Sequence, residues 1–130
     1  MEVVKTTIRT HTTGTVTMTE ATKTVTLPDV TGHVKSIAIK PSGTSTEFAI
    51  SCIKAGIAEY ILGAAGVEQA VLAAGVVFTP QKLAVDNDLG ALTVTSNTYV
   101  DYILDSQDIT IIVAAGANAE TYIVEIIVEE

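Results

Sequence analysis

Chemistry in this chain would have to come from one cysteine, two histidines and a few groups of carboxylates. A nucleophilic cysteine needs a base beside it. Cys52 instead lies in the apolar run Phe48-Ala49-Ile50-Ser51-Cys52-Ile53, which predicts a buried, inert thiol. One cysteine per chain excludes an intrachain disulfide and a four-cysteine zinc site. His11 and His33 have no carboxylate at metal-ligand spacing and no recognisable catalytic context. A pair of equivalent histidines could meet only on a symmetry axis between copies. Asp86-Asn87-Asp88-Leu89-Gly90 begins like a calcium loop, since hard cations want clustered oxygens. The positions that should carry the later ligands hold Gly90 and Asn97, so a turn is expected. Asp101, Asp105 and Asp108 read as the solvated corner of a hairpin. Glu47 and Glu59 could act as a glycosidase-like pair only if the fold brought them together. No Gly-x-Ser-x-Gly elbow and no phosphate loop is present, and Gly63-Ala64-Ala65-Gly66 is too short to be a nucleotide fingerprint. The expectation is a protein that is not an enzyme, with no catalytic, cofactor or metal site.

Two further residue classes bear on binding. Sugar-binding sandwiches present aromatic platforms. Here Trp is absent and aromatics make up 5% of the chain. Tyr99 and Tyr102 fall on opposite faces of one expected strand, which leaves one of them free to be exposed. The net charge is -8. Nucleic-acid binding runs on clustered Lys and Arg, so nucleic acid is excluded as a partner, and docking on anionic lipid is disfavoured on the same ground. The charge is uneven. Residues 1–54 carry six basic side chains against four acidic ones, whereas Lys82 stands alone against eleven acids in residues 55–130. Either the acids simply solubilise the surface, or an acidic side faces water while another side docks. The opening Met1-Glu2-Val3-Val4-Lys5 lacks the apolar core of a signal peptide, and no run of eighteen apolar residues exists. No membrane partner is expected.

The elements that would position these residues are strands. Twelve of the twenty threonines fall in the first 31 residues. Thr13, Thr15, Thr17 and Thr19, then Thr22, Thr24 and Thr26, alternate with other residues at period two, the mark of a strand with one hydroxylated face. Large apolar residues are sparse there, so the segment must lie over a core or pair with a neighbour. Residues 33–40 read as a strand with Val34, Ser36, Ala38 and Lys40 on one side and Lys35, Ile37 and Ile39 on the other. Pro41-Ser42-Gly43 is turn chemistry. Residues 46–54 form the next strand, with Phe48, Ile50 and Cys52 sharing a face, and these two runs are the best hairpin candidate. Residues 57–62 suit a strand, 67–73 allow one or two helical turns, and 76–79 return to β structure. Strands are expected at 91–95 and 98–104, with 105–108 turning the chain into a strand over 109–114. Gly116-Ala117-Asn118 turns it again. Residues 121–128 carry Tyr122, Val124, Ile126 and Val128 on one face and Ile123, Glu125 and Ile127 on the other, as in a central or intersubunit strand. Strands at intervals near ten residues predict an all-β chain with a jelly-roll-like antiparallel β-sandwich. Residues 1–31 are expected as an extended Thr-rich arm or outer strands, and 32–130 as the sandwich.

Over its full length the chain resembles the small β-rich virion proteins of tailed bacteriophages, and within them the head decoration or cement proteins. The resemblance is carried by the Thr-rich opening, by Gly32-His33-Val34-Lys35-Ser36-Ile37-Ala38-Ile39-Lys40-Pro41-Ser42-Gly43, and by Ile109-Thr110-Ile111-Ile112-Val113 with Tyr122-Ile123-Val124-Glu125-Ile126-Ile127-Val128. It implies a jelly-roll-like fold, no catalysis, and a place on the capsid surface of a virion after synthesis in the host cytoplasm. The partners it implies are the major capsid protein and further copies of the chain; a homotrimer is the first expectation for the latter and a dimer the second. A neck, tail or fibre component and a carbohydrate-binding sandwich are the alternatives. Pairing between an arm and a neighbour's sheet edge gives affinity without special side chains. The residues expected to carry that docking are Val3, Val4, Ile8, Val16, Met18, Val25 and Leu27.

Overall fold

The computed structural model describes residues 6–43, 46–83, 99–114 and 119–130. They form an all-β, antiparallel structure. Its strands are β1 (Ile8–Thr12), β2 (Val16–Thr17), β3 (Lys23–Pro41), β4 (Glu47–Lys54), β5 (Ile57–Leu62), β6 (Gln69–Ala70), β7 (Val76–Phe78), β8 (Gln81–Leu83), β9 (Tyr99–Asp101), β10 (Ile103–Ala114) and β11 (Thr121–Glu129). The hydrogen-bonded order is β1-β11-β3-β10-β4-β5, with β2 beside β11, β6 beside β4 and β7 beside β3. β8 and β9 form a separate ribbon.

The architecture follows from β3. Nineteen residues in strand geometry would extend about 60 Å at about 3.3 Å each. A globule of this length has a radius of gyration of roughly 14 Å, so the strand must bend. Its first half, Lys23 to His33, pairs with β10, and its second half, His33 to Pro41, pairs with β11. One strand therefore serves two layers. The first holds β5, β4, β10 and the start of β3; the second holds β1, β11, the end of β3 and β7. Phe48 on β4 and Tyr122 on β11 are not on neighbouring strands, yet their rings meet edge to face at 5.6 Å. That contact spans the interior between the layers. Around it lie Val30, Val34, Ile37, Ile39, Ile50, Leu104, Ile109, Ile111, Val124 and Ile126, all buried. Burying each such side chain contributes about 1.5–3 kcal/mol.

Three irregularities make the bend. Asp29 takes a positive φ of 55°, and the pairing with β10 shifts register on both sides of Gln107. Ser106 on β10 also has positive φ. Farther on, Ile127 pairs with Ser36 while Val128 pairs with Val34, so Lys35 is an extra residue in the ladder. A bulge reverses which side chains face inward. Strict alternation separates Val34 from Ile37 and Ile39; the bulge at Lys35 puts all three in the core.

Several expected elements form as read. β4, β5, β7 and β11 occupy the expected stretches; β4 is buried on both faces, and of the two apolar faces of β11 the one with Tyr122, Val124, Ile126 and Val128 is buried. Others differ. The segments 33–40 and 46–54 are not a hairpin, because the chain after Pro41 crosses to the other layer and β4 pairs with β10 and β5 instead. The real hairpin is β4–β5, closed by Ala55 and Gly56, both at positive φ (52° and 78°), as a two-residue hairpin turn demands. No helical turn forms at 67–73; Gln69–Ala70 pairs with β4, and Gly75 N donates to Leu72 O in a turn. Residues 105–108 are not a turn but the bulged middle of β10. The strand expected at 91–95, the turn at 116–118 and the Asp86–Gly90 turn lie outside the described residues. The division expected after residue 31 falls inside β3, at the register shift between its Val30 and Gly32 pairs with β10.

Gly32 sits at the crossover of β3 with a φ of 129°, a conformation that L side chains rarely adopt. A Cβ there would lie 2.8 Å from the carbonyl oxygen of Glu129. Gly32→Ala is therefore expected to lower folding stability by about 1–3 kcal/mol, read as a lowered urea midpoint. Gly14→Ala, where a Cβ meets nothing within 4 Å, serves as the positive-φ control and loses less.

Candidate functional site

The expected docking residues separate into three groups. Val3 and Val4 lie outside the described residues. Ile8, on the edge strand β1, is 66% exposed and stands ready for contact. Met18 and Leu27 are buried in the chain's own core, and Val16 and Val25 pack against it. Among the described residues these four side chains pack on the chain's own core, as outer strands do. Met18 is tied down by its backbone, which donates to Glu120 O at 2.7 Å and accepts from Ala119 N at 2.9 Å. The Thr-rich segment lays its few apolar side chains over the sandwich, and its threonines face outward.

The residues that could do chemistry are dispersed. Cys52 is fully buried, and burial pushes its thiol up, which keeps it protonated and unreactive. Glu59 pairs with Cys52 in the ladder, five residues along β4 from Glu47. That puts their backbone positions about 16 Å apart in strand geometry, and Glu59 is held by Lys54 and Lys82 instead of by a second acid. Asp101, Asp105 and Asp108 do not cluster: Asp108 Oδ1 accepts from Asp29 N at 3.1 Å, whereas Asp101 joins an ion pair. Among the described residues no group of three His, Cys, Asp or Glu side chains is placed to hold a metal. No helix among them is long and apolar enough to cross a membrane.

One groove with charged side chains on its walls does assemble. His33, Lys54, Lys82, Tyr99, Val100, Asp101 and Ile103 line a hollow of about 670 Å³ at one end of the sandwich. Two ion-pair networks shape it. Asp101 Oδ2 accepts from Lys35 Nζ at 2.7 Å and lies 3.7 Å from His33 Nδ1, while Gln81 Nε2 donates to Oδ1 at 3.4 Å. Glu59 sits between two ammonium groups, Lys82 Nζ at 3.0 Å and Lys54 Nζ at 2.8 Å. Lys82 also stands 5.5 Å over the ring of Tyr102. Tyr102 is buried and donates its hydroxyl to Tyr60 O, while Tyr99 is 56% exposed on the groove. The opposite placing of these two tyrosines matches their expected faces. Sequence spacing could have found the Lys54–Glu59 pair, which faces itself across the β4–β5 hairpin. It could not find Lys35 and Asp101, which are 66 residues apart.

The hydrogen bonds from Lys35 and Gln81 hold the Asp101 carboxyl below its usual range. Burial pushes the Glu59 carboxyl up, but Lys54 and Lys82 outweigh it and leave it lowered too. A carboxylate with a depressed folded-state pKa contributes stability above its unfolded pKa and loses it as pH falls through the folded value. Stability is thus expected to fall as pH drops below about 4.5. Lys35→Met and Lys82→Met should each lower the urea midpoint at neutral pH and flatten this acid limb. Urea titrations between about pH 7 and pH 2.5 read both effects.

No family model matches the chain, and no curated protein matches it. A solved structure of infectious bursal disease virus, Gx strain, is similar over 95% of this chain and 32% of the viral chain, at 8% identity and a TM-score of 0.31. The chain thus spans about a third of that viral chain, and a likeness this low carries nothing about function.

Proposed function

We propose that this chain is a structural protein of a virus particle. More finely, it is a decoration protein that binds the outside of a tailed-phage head and bridges major capsid protein subunits as a homo-oligomer, without catalysis. The observation that carries this reading is apolar surface outside a completed core. Ile53 and Ile57 protrude at the β4–β5 hairpin, Leu72, Val76 and Val77 around β7, and Tyr99, Val100 and Ile103 at the groove. Ile57 is 71% exposed and Val77 73%. Apolar groups that a folded core does not need mark contact surfaces. Several separate groups suit a protein that joins neighbours better than one that encloses a ligand. The cations support the same reading: Arg9, Lys35, Lys54 and Lys82 are each held by a carboxylate, which leaves little basic surface for phosphate. The sequence texture shared with decoration proteins supports the finer part.

The test uses purified chain and undecorated phage heads. The expected result is an oligomer in analytical ultracentrifugation, binding at regular lattice points, and a raised temperature of head disruption. Density at the neck or tail instead would replace decoration with a connector role. A lone monomer that binds no particle overturns the reading. A second reading, a carbohydrate-binding sandwich, is favoured by one observation, the exposed Tyr99 ring beside Asp101 and His33 in the groove. Binding on a glycan array that Tyr99→Ala abolishes would establish it in place of the first.

A further inference from the structure

The outer face of the second layer carries a self-complementary pattern. Its central row runs Thr12, Glu125, Ala38, Val77 across β1, β11, β3 and β7. Beside it, Ile127 lies between Thr10 and Ser36 on one side, and Ile123 pairs with Lys40 on the other. The inward residues of β11 are Tyr122, Val124, Ile126 and Val128, so Ile123, Glu125 and Ile127 point away from the core. Ala38 is short, and above it lies a hollow of about 330 Å³ whose walls include Lys40, Val77, Ile123 and Glu125. The face therefore holds a knob (Val77) and a hole (over Ala38), a base (Lys40) and an acid (Glu125).

Among the described residues neither Lys40 nor Glu125 has an ion-pair partner. Lys40 Nζ bends back to donate to the Ala73 carbonyl oxygen, an uncharged acceptor. A two-fold interface brings one patch against itself, so residue i meets residue j and j meets i. Such an axis offers each Lys40 the other copy's Glu125 and each Ala38 hollow the other copy's Val77. We propose that a second copy of this chain docks on this face, as a two-fold dimer held by reciprocal Lys40–Glu125 pairs around the Val77 and Ala38 contact. The proposal rests on the self-assembly reading above and specifies its surface.

The test is a charge exchange between copies, read by sedimentation of the full chain. Lys40→Glu alone and Glu125→Lys alone each set like charges against each other and should weaken self-association at least about tenfold. Mixing the two variants restores opposite charges at both contacts of a heterodimer. The mixture should therefore associate with an affinity near that of the unaltered protein, and so should the double variant. Ala38→Arg, which fills the hollow, should abolish association. Urea midpoints for every variant separate lost docking from lost folding. Association that ignores all these changes overturns this face but leaves self-assembly intact. An unaltered protein that remains monomeric overturns both.

Discussion

A nineteen-residue strand cannot lie flat in a molecule of 130 residues, and most of the architecture follows from how β3 bends. Its first half completes the layer of β4, β5 and β10, and its second half completes the layer of β1, β11 and β7. Because the two layers share a covalent strand, their facing surfaces close on each other at that bend. The chain then needs little more than apolar side chains of suitable size between them. Phe48 against Tyr122 fixes the spacing at the far side from the bend. An edge-to-face aromatic pair of this kind adds about 0.5–1.5 kcal/mol beyond the area it buries.

The polar residues around the bend replace the backbone pairing that the bulges interrupt. Asp108 accepts from Asp29 N, Thr31 Oγ1 accepts from Ser106 N at 2.8 Å, and Gln107 Nε2 donates to Ile53 O at 3.1 Å. Backbone groups that lose their ladder partner need another, or folding loses their hydrogen bonds. The Asp105–Asp108 run is thus structural in this fold. Its composition looks like a turn because the same short polar side chains serve both turns and irregular strands.

The surface divides its work differently from the core. Lys35, Lys54 and Lys82 are held by internal pairs at one end of the sandwich, and an excess of acids gives the chain its net negative charge. Protruding Ile, Val, Leu and Tyr side chains stand among them. This arrangement keeps a protein soluble by repulsion at long range while leaving short-range apolar contact to a fitted partner. It is the physical basis for reading the chain as an assembly component, and it assigns no reacting group.

Local pattern was enough to establish β4, β5, β7 and β11 and much of the core. Alternation in Phe48, Ile50 and Cys52 and in Tyr122, Val124, Ile126 and Val128 is a period-two property that any short window contains. The same holds for the buried Cys52 and for the split of Tyr99 from Tyr102. Strand partners were decided only in three dimensions, since β3 pairs with strands more than sixty residues away along the chain. So were the inward turn of Val34, the burial of Met18 and Leu27, and the meeting of Lys35 with Asp101. The physical reason is that side-chain alternation records which face of a strand is buried. A bulge shifts that alternation by one residue, and the neighbour that completes a ladder is selected by packing of the whole chain.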